Sequence, residues 1–180
     1  IIKLTICLLF PSDLISADNR KSQNLYTFNG HTYEKVELPM SWSEASKFAG
    51  EKSGTLVKID SFQENTFLRS FMSQTQTSAS DGGGSEYFWL GGSDIDIEGD
   101  WRWSDRTKID ASQITAYDLW GKGPGFNTQY GEPDDFMGNQ DCLAMGVKYW
   151  PKKADASNYL GKPGEWNDIS CENKLAFVVE

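Results

Sequence analysis

Histidine is all but missing: His31 is the single imidazole among 180 residues, and only three cysteines accompany it. Zinc centres draw on several such side chains, so a zinc site is excluded. No nucleophile elbow, zinc motif or phosphate-binding loop occurs, and His31 reads as a turn or core residue rather than a catalyst. Positive charge is also short, 17 Lys and Arg against 26 Asp and Glu, for a net charge of −9. That balance repels phosphate backbones and anionic lipid headgroups, which argues against nucleic acid and membrane surfaces as partners and favours hard divalent cations. The most apolar stretch, residues 1–10, is too short for the roughly 20 residues that span a bilayer, so no membrane insertion is expected. Internal repeats and heptads are lacking as well.

What is present in quantity is aromatic: seven Trp, seven Tyr and ten Phe. Large rings fill cores and also stack on sugars. The length suits one domain. Residues 1–10, then Pro11 and Ile15-Ser16-Ala17, look like a signal peptide spanning 1–17, with cleavage after Ala17. Cleavage would remove Cys7 and leave Cys142 and Cys171, an even pair that reads as a disulfide in a secreted, extracellular chain.

Two capping boxes open short helices, Ser41 with Glu44 and Ser61 with Glu64. Trp42, Ala45, Phe48 and Ala49 share one face of the first helix; Phe67, Leu68, Phe71 and Met72 share one face of the second. Strand candidates fall at 24–28, 31–36, 87–90, 101–103, 142–147 and 175–179, and their segregation from the helices predicts an α+β layout. Residues 73–85, polar and ending in Gly82-Gly83-Gly84 before Ser85, predict a flexible surface loop. Between 104 and 142 almost no periodicity is left; so long a structureless stretch inside a compact domain is functional or disordered.

That loop ends in Glu132-Pro133-Asp134-Asp135 and Gln140-Asp141-Cys142, and a second acidic cluster, Trp166-Asn167-Asp168, lies just before Cys171. A cystine between the two cysteines would draw both clusters together. Calcium takes about 6 to 8 oxygen ligands, the inventory these segments offer. Solvated acidic loops are the plainer reading of such a run. Trp166 itself reads as a core residue.

At this point the chain resembles the C-type lectin-like domain over residues 25–180. Trp42-Ser43-Glu44-Ala45 is similar to the first family helix, and 54–59 to the link that follows. Trp89-Leu90-Gly91-Gly92 is similar to the family's Trp-Ile-Gly-Leu strand, and 98–103 to its Glu-Gly-x-Trp-x-Trp stretch. Glu132-Pro133-Asp134 and Trp166-Asn167-Asp168 resemble the two calcium and sugar motifs. The resemblance implies two helices, short antiparallel sheets and a long calcium-binding loop. It implies a principal calcium site on Glu132, Asp134, Gln140, Asn167 and Asp168, and an auxiliary one on Asp94, Glu98, Asp135 and Asp141 with Gln140. It further implies contacts of Glu132, Asp134, Phe136, Gln140 and Asn167 with a carbohydrate or glycoprotein ligand, and leaves a homo-oligomer open. A binding protein, not an enzyme, is implied; carboxylates held ionised on an ion are poor acids, which disfavours Glu132 and Asp168 as a glycosidase pair.

Two departures from the family pattern stand out. Its outer cystine would join positions 49 and 179, occupied here by Ala49 and Val179. In the sugar site, mannose-type members read Glu-Pro-Asn and galactose-type members Gln-Pro-Asp, so that each ligand pair mixes a carboxylate with an amide. Here Glu132 and Asp134 are both acceptors, while Gln140 and Asn167 both offer donors. The ionic charge is conserved but the hydrogen-bond pattern shown to a sugar is not. The alternative is a lectin-like protein-binding or ice-binding domain in which calcium only holds the loop.

Overall fold

The computed structural model describes residues 24–109, 119–124 and 131–180. The expected leader at 1–17, Cys7 included, lies outside them.

Helix α1, Trp42–Glu51, starts where Ser41 Oγ accepts the Glu44 amide and the Glu44 carboxylate accepts the Ser41 amide, the reciprocal box its sequence predicts. Helix α2, Phe62–Met72, is capped by Ser61 Oγ on the Glu64 amide at 3.1 Å. The second half of its box differs: the Glu64 carboxylate accepts the Asp60 amide at 2.7 Å and the buried Tyr33 hydroxyl. A phenol enclosed in the core needs an acceptor, and Glu64 supplies one.

The strands are β1 (Leu25–Phe28), β2 (His31–Met40), β3 (Tyr87–Ser93), β4 (Arg102–Trp103), β5 (Cys142–Gly146), β6 (Trp166–Ile169) and β7 (Leu175–Val179). They form one seven-stranded sheet in the order β1-β2-β7-β3-β5-β6, with β4 also on β3. All pairs are antiparallel except β3 with β7. The short antiparallel pieces expected from sequence therefore merge into a mixed sheet, because the last strand inserts between β2 and β3. Strand β6 is an addition: its acidic Asn167-Asp168 read as loop, yet all four residues are buried.

Alternation along the central strands separates two cores. Phe88 and Leu90, Leu143 and Met145, and Ala176 and Val178 face one core with Leu68 and Met72 of α2. Tyr87 and Trp89, Cys142 and Ala144, and Leu175 and Phe177 face the other with Ala45 and Ala49 of α1. A sheet covered on both faces needs strands apolar at every position, which is why β3, β5 and β7 read as continuous apolar runs.

Of the long loop expected at 104–142, residues 110–118 and 125–130 lie outside the described residues; Trp120, within its described part, packs among three other indoles. Trp101 meets Trp120 at 5.0 Å between centroids, and Trp166 meets Trp103 at 5.7 Å and Trp120 at 6.0 Å, all edge to face. Trp166 is fully buried and donates to Asn65 Oδ1 at 2.8 Å, so it belongs to the core. Next to it Gly121 N donates to the Trp166 carbonyl, and Glu132 N donates to the Gly121 carbonyl. That ladder lays Glu132 alongside β6.

Residues 73–85 are not the flexible loop their composition predicts. Thr77 Oγ1 donates to the Tyr87 carbonyl and accepts the Ala176 amide, Ala79 is fully buried, and Ser78 bridges Glu86. Small residues let this segment lie flat on the sheet, where polar composition alone signals only solvent.

Cys142 and Cys171 form the disulfide, with Cα atoms 5.1 Å apart. Where the family's outer cystine would sit, Ala49 and Val179 are simply buried. Reciprocal backbone bonds between Thr55 and Glu180, each 2.9 Å, tie the same region. They are reached because Gly54 has no Cβ, which would lie 2.6 Å from the Glu180 carbonyl oxygen.

Candidate metal centre

Carboxylate oxygens of Glu132, Asp134 and Asp168 all lie within 4.8 Å of one another. Two oxygens that share one ion at about 2.4 Å each have that separation at most. Three elements bring them there: the loop laid along β6 supplies Glu132 and Asp134, β6 supplies Asp168, and the Cys142–Cys171 link closes the strand ends behind. The Glu132–Pro133 peptide is cis.

Each carboxylate accepts a hydrogen bond from the protein; for Asp134 the donor is the Phe136 amide, on Oδ1 at 3.1 Å. Trp150 Nε1 donates to Glu132 Oε1 at 2.8 Å. Asp168 Oδ2 accepts the amides of Asp134 at 3.0 Å and Asp135 at 2.8 Å. Asp135 sits in left-handed backbone (φ 44°) at the start of the 3-10 turn Phe136–Gly138. Its own side chain accepts the Gln140 amide at 3.1 Å.

Gln140 and Asn167, both buried, line the same cleft of about 240 Å³ with Glu132, Asp134, Phe136 and Trp150. Gln140 Oε1 accepts the Phe136 amide at 2.7 Å, and its Nε2 donates to the Asp81 carbonyl at 3.4 Å. Asn167 Nδ2 donates to the Tyr87 hydroxyl at 3.0 Å, which in turn donates to the Gly82 carbonyl. The Phe136 ring is 54 % exposed at the rim.

Burial opposes three negative charges in one place. Desolvation pushes the Glu132 carboxyl up to about 8, against the Trp150 hydrogen bond, and neighbouring Asp168 and Asp134 push the same way. Desolvation likewise pushes Asp168 up to about 7 despite the Asp135 amide. A cation between them would remove that penalty, and with only oxygen donors available it would be a hard one.

A second group, Asp94, Glu98 and Asp141, also has its carboxylate oxygens within 4.8 Å of one another. Asp94 is 2 % exposed; Gly99 N donates to its Oδ2 at 2.9 Å, but Oδ1 is buried with no hydrogen-bond partner. Desolvation raises Asp94 to about 6 and is also the first cause of the rise at Glu98. A buried, orphaned carboxylate oxygen facing two further acids fits a cation. Asp135 is not in this group.

Sequence reasoning missed Trp150, Tyr87 and Asp81. The Asp81 carboxylate accepts the Ser170 amide and Asn173 Nδ2, each at 2.7 Å, which fastens the ridge 80–84 to the strand end after β6. No local pattern marks these three; their roles come from distant partners.

The sequence profile of the C-type lectin domain matches residues 38–180. The chain belongs to the C-type lectin domain family. This lectin domain is 27 % identical over 173 residues to the hepatic lectin of Gallus gallus, covering 96 % of the chain and 62 % of that protein. To the human C-type lectin domain family 10 member A it is 29 % identical over 146 residues, 78 % of the chain and 34 % of that protein. The lectin domain thus spans about a third to two thirds of the length of these relatives. Among solved structures, the cow C-type carbohydrate-recognition domain of CD23, determined in the presence of a GlcNAc2Man3 oligosaccharide, superposes with a TM-score of 0.59 at 25 % identity, covering 87 % of the chain and 92 % of that one. No described helix of the lectin domain is long and apolar enough to cross a membrane.

Proposed function

We propose that this domain binds carbohydrate through a calcium ion held by Glu132, Asp134, Gln140, Asn167 and Asp168. The carrying observation is the convergence of three carboxylates from two stretches of chain, two of them, Glu132 and Asp134, lining an amide-lined cleft with Asp168 buried behind. Calcium there would offer spare coordination positions to two neighbouring sugar hydroxyls. The chain's own part is orientation: Trp150, Tyr87 and the Asp134 and Asp135 amides fix the ligands, so little side-chain entropy remains to be lost on binding. Phe136 would lie against an apolar sugar face. The Asp94, Glu98 and Asp141 group would hold a second calcium beside the loop, with Asp135 and Gln140 at its edge. Binding, not catalysis, is the activity of this reading, and the cystine suits a secreted protein.

A second reading, a protein ligand with calcium serving only the loop, is favoured by the separation of two acceptors, Glu132 and Asp134, from two amides, which suits a hydroxyl pair less well. Glycan-array binding of the chain in calcium and again with chelator tests the first reading. Glycan signals that chelator abolishes and free monosaccharide competes away are expected; no calcium-dependent glycan signal from a chain that still binds calcium would give the site to the second reading.

A further inference from the structure

Beside the acidic cleft lies a second cleft of opposite charge, about 370 Å³, lined by Gly84, Glu86, Lys148, Tyr149, Lys152 and Lys153 among others. In a chain of net charge −9 three lysines on one cleft are conspicuous. Only Glu86 opposes them, 3.8 Å from Lys148 Nζ. Lys152 and Lys153 are exposed and have no ion-pair partner among the described residues.

The cleft is framed by backbone. Lys152 N donates to the Gly83 carbonyl at 2.8 Å, and Ser85 Oγ donates to the Tyr149 carbonyl at 2.8 Å. Gly83 can approach that closely because a Cβ would lie 2.7 Å from Pro151 Cα. Lys153 is in left-handed backbone, φ 78°, which turns the chain after the two lysines. Both lysines thus stand on a turn bonded to the glycine ridge.

That ridge is shared. Gly83 lines the acidic cleft and Gly84 the basic one, and successive Cα atoms are about 3.8 Å apart. The two clefts therefore meet at neighbouring residues of one ridge, with the lysines on its far side.

We propose that Lys148, Lys152 and Lys153 form an anion subsite, and that the preferred ligand is a glycan carrying an oxyanion, a sulfate ester or a uronate carboxylate, next to the sugar held in the acidic cleft. This rests on the reading of the acidic cleft as the sugar site. The carboxylates of Glu132, Asp134 and Asp168 repel an anion from the ion's own position, while the lysines attract it across the ridge, so charge fixes which end of an acidic oligosaccharide enters which cleft. Tyr149, half-buried in the basic cleft, offers a ring for the linking sugar.

The test is calorimetry in excess calcium with a neutral oligosaccharide and its sulfated and uronate-bearing counterparts, on the parent chain and on the Lys152→Ala/Lys153→Ala variant. Both lysines are exposed, and an unchanged melting temperature shows that the variant folds. The parent is expected to bind an acidic counterpart about three- to tenfold more tightly at low salt, the scale of two exposed ion pairs. High salt should shrink that advantage and the variant should lose it, with neutral affinity unchanged in both. A gain from sulfate alone or carboxylate alone identifies the oxyanion. Equal affinity for neutral and acidic ligands in the parent, or an advantage that survives in the variant, overturns the proposal. Should the neutral ligand not bind in calcium, the reading of the acidic cleft fails instead. The subsite is then judged with chelator present, where sulfated oligosaccharide must bind the parent salt-dependently and not the variant.

Discussion

The two carboxylate groups, Glu132 with Asp134 and Asp168, and Asp94 with Glu98 and Asp141, each bring the oxygens of three acids within 4.8 Å of one another, yet they are built differently. In the first, Trp150 Nε1 serves Glu132, the Asp134 and Asp135 amides serve Asp168, and two amide side chains complete the cleft. In the second, one amide serves Asp94 Oδ2 and nothing serves Oδ1. Protein donors position the first group in advance. The second leaves a buried oxygen that a proton or a cation would satisfy. The comparison separates a group arranged for exchangeable ligands from one whose ion would mainly hold the loop.

The largest effect should come from Asp168→Asn. It removes the charge at the centre of the first group but keeps one oxygen for the Asp134 and Asp135 amides, so the fold is expected to survive. Calcium affinity measured by calorimetry should fall roughly a hundredfold or more, because charge count sets affinity at such sites, and calcium-dependent retention on sugar resin should vanish. Retention at parental levels would place the sugar elsewhere and erase the distinction between the groups.

Asp94→Asn should act in the opposite direction on stability. With chelator present, the amide oxygen still accepts the Gly99 amide, and the new NH2 donates to Glu98 or Asp141 where a bare oxygen stood unpaired. Satisfying such a buried group is worth about 1–2 kcal/mol, so the midpoint of chemical unfolding in chelator should rise. In calcium one binding event should disappear from the calorimetric titration while sugar retention persists. A variant that loses sugar retention would mean the two groups act as one site.

Much of this was legible in the sequence where it is local. Ser41 with Glu44 and Ser61 with Glu64 announce the helices within four residues, and apolar runs at 87–90, 142–147 and 175–179 announce the central strands. The acidic motifs were legible through the resemblance and through the cystine expected from an even cysteine pair. What was hidden is what depends on partners far along the chain. Strand β6 was masked because Asn167 and Asp168, polar on paper, are buried by Tyr87 and by the loop amides. Residues 73–85 read as flexible because glycine and serine signal freedom locally, whereas Tyr87, Pro151 and Ser170 pin them. Asp81 and Trp150 have no short-range signature at all.

The smallest predicted effect concerns the donor and acceptor pattern of the first group. By the family arrangement, Asp134→Asn with Gln140→Glu restores two mixed pairs and should raise affinity for mannose-type sugars. An unmade hydrogen bond to a charged partner costs about 1–3 kcal/mol, so the ideal gain is large. Gln140, however, is already committed: Oε1 accepts the Phe136 amide at 2.7 Å and Nε2 donates to the Asp81 carbonyl at 3.4 Å. A glutamate there keeps the first bond and turns an acceptor against the Asp81 carbonyl. The lost bond is long, so its cost is modest, but the repulsion loosens the ridge that also buttresses Asn167 through Gly82 and Tyr87. The net gain should therefore be about three- to tenfold in dissociation constant, read by titration at saturating calcium. No gain over the parent would mean that the ridge, rather than the donor pattern, decides which sugar is held.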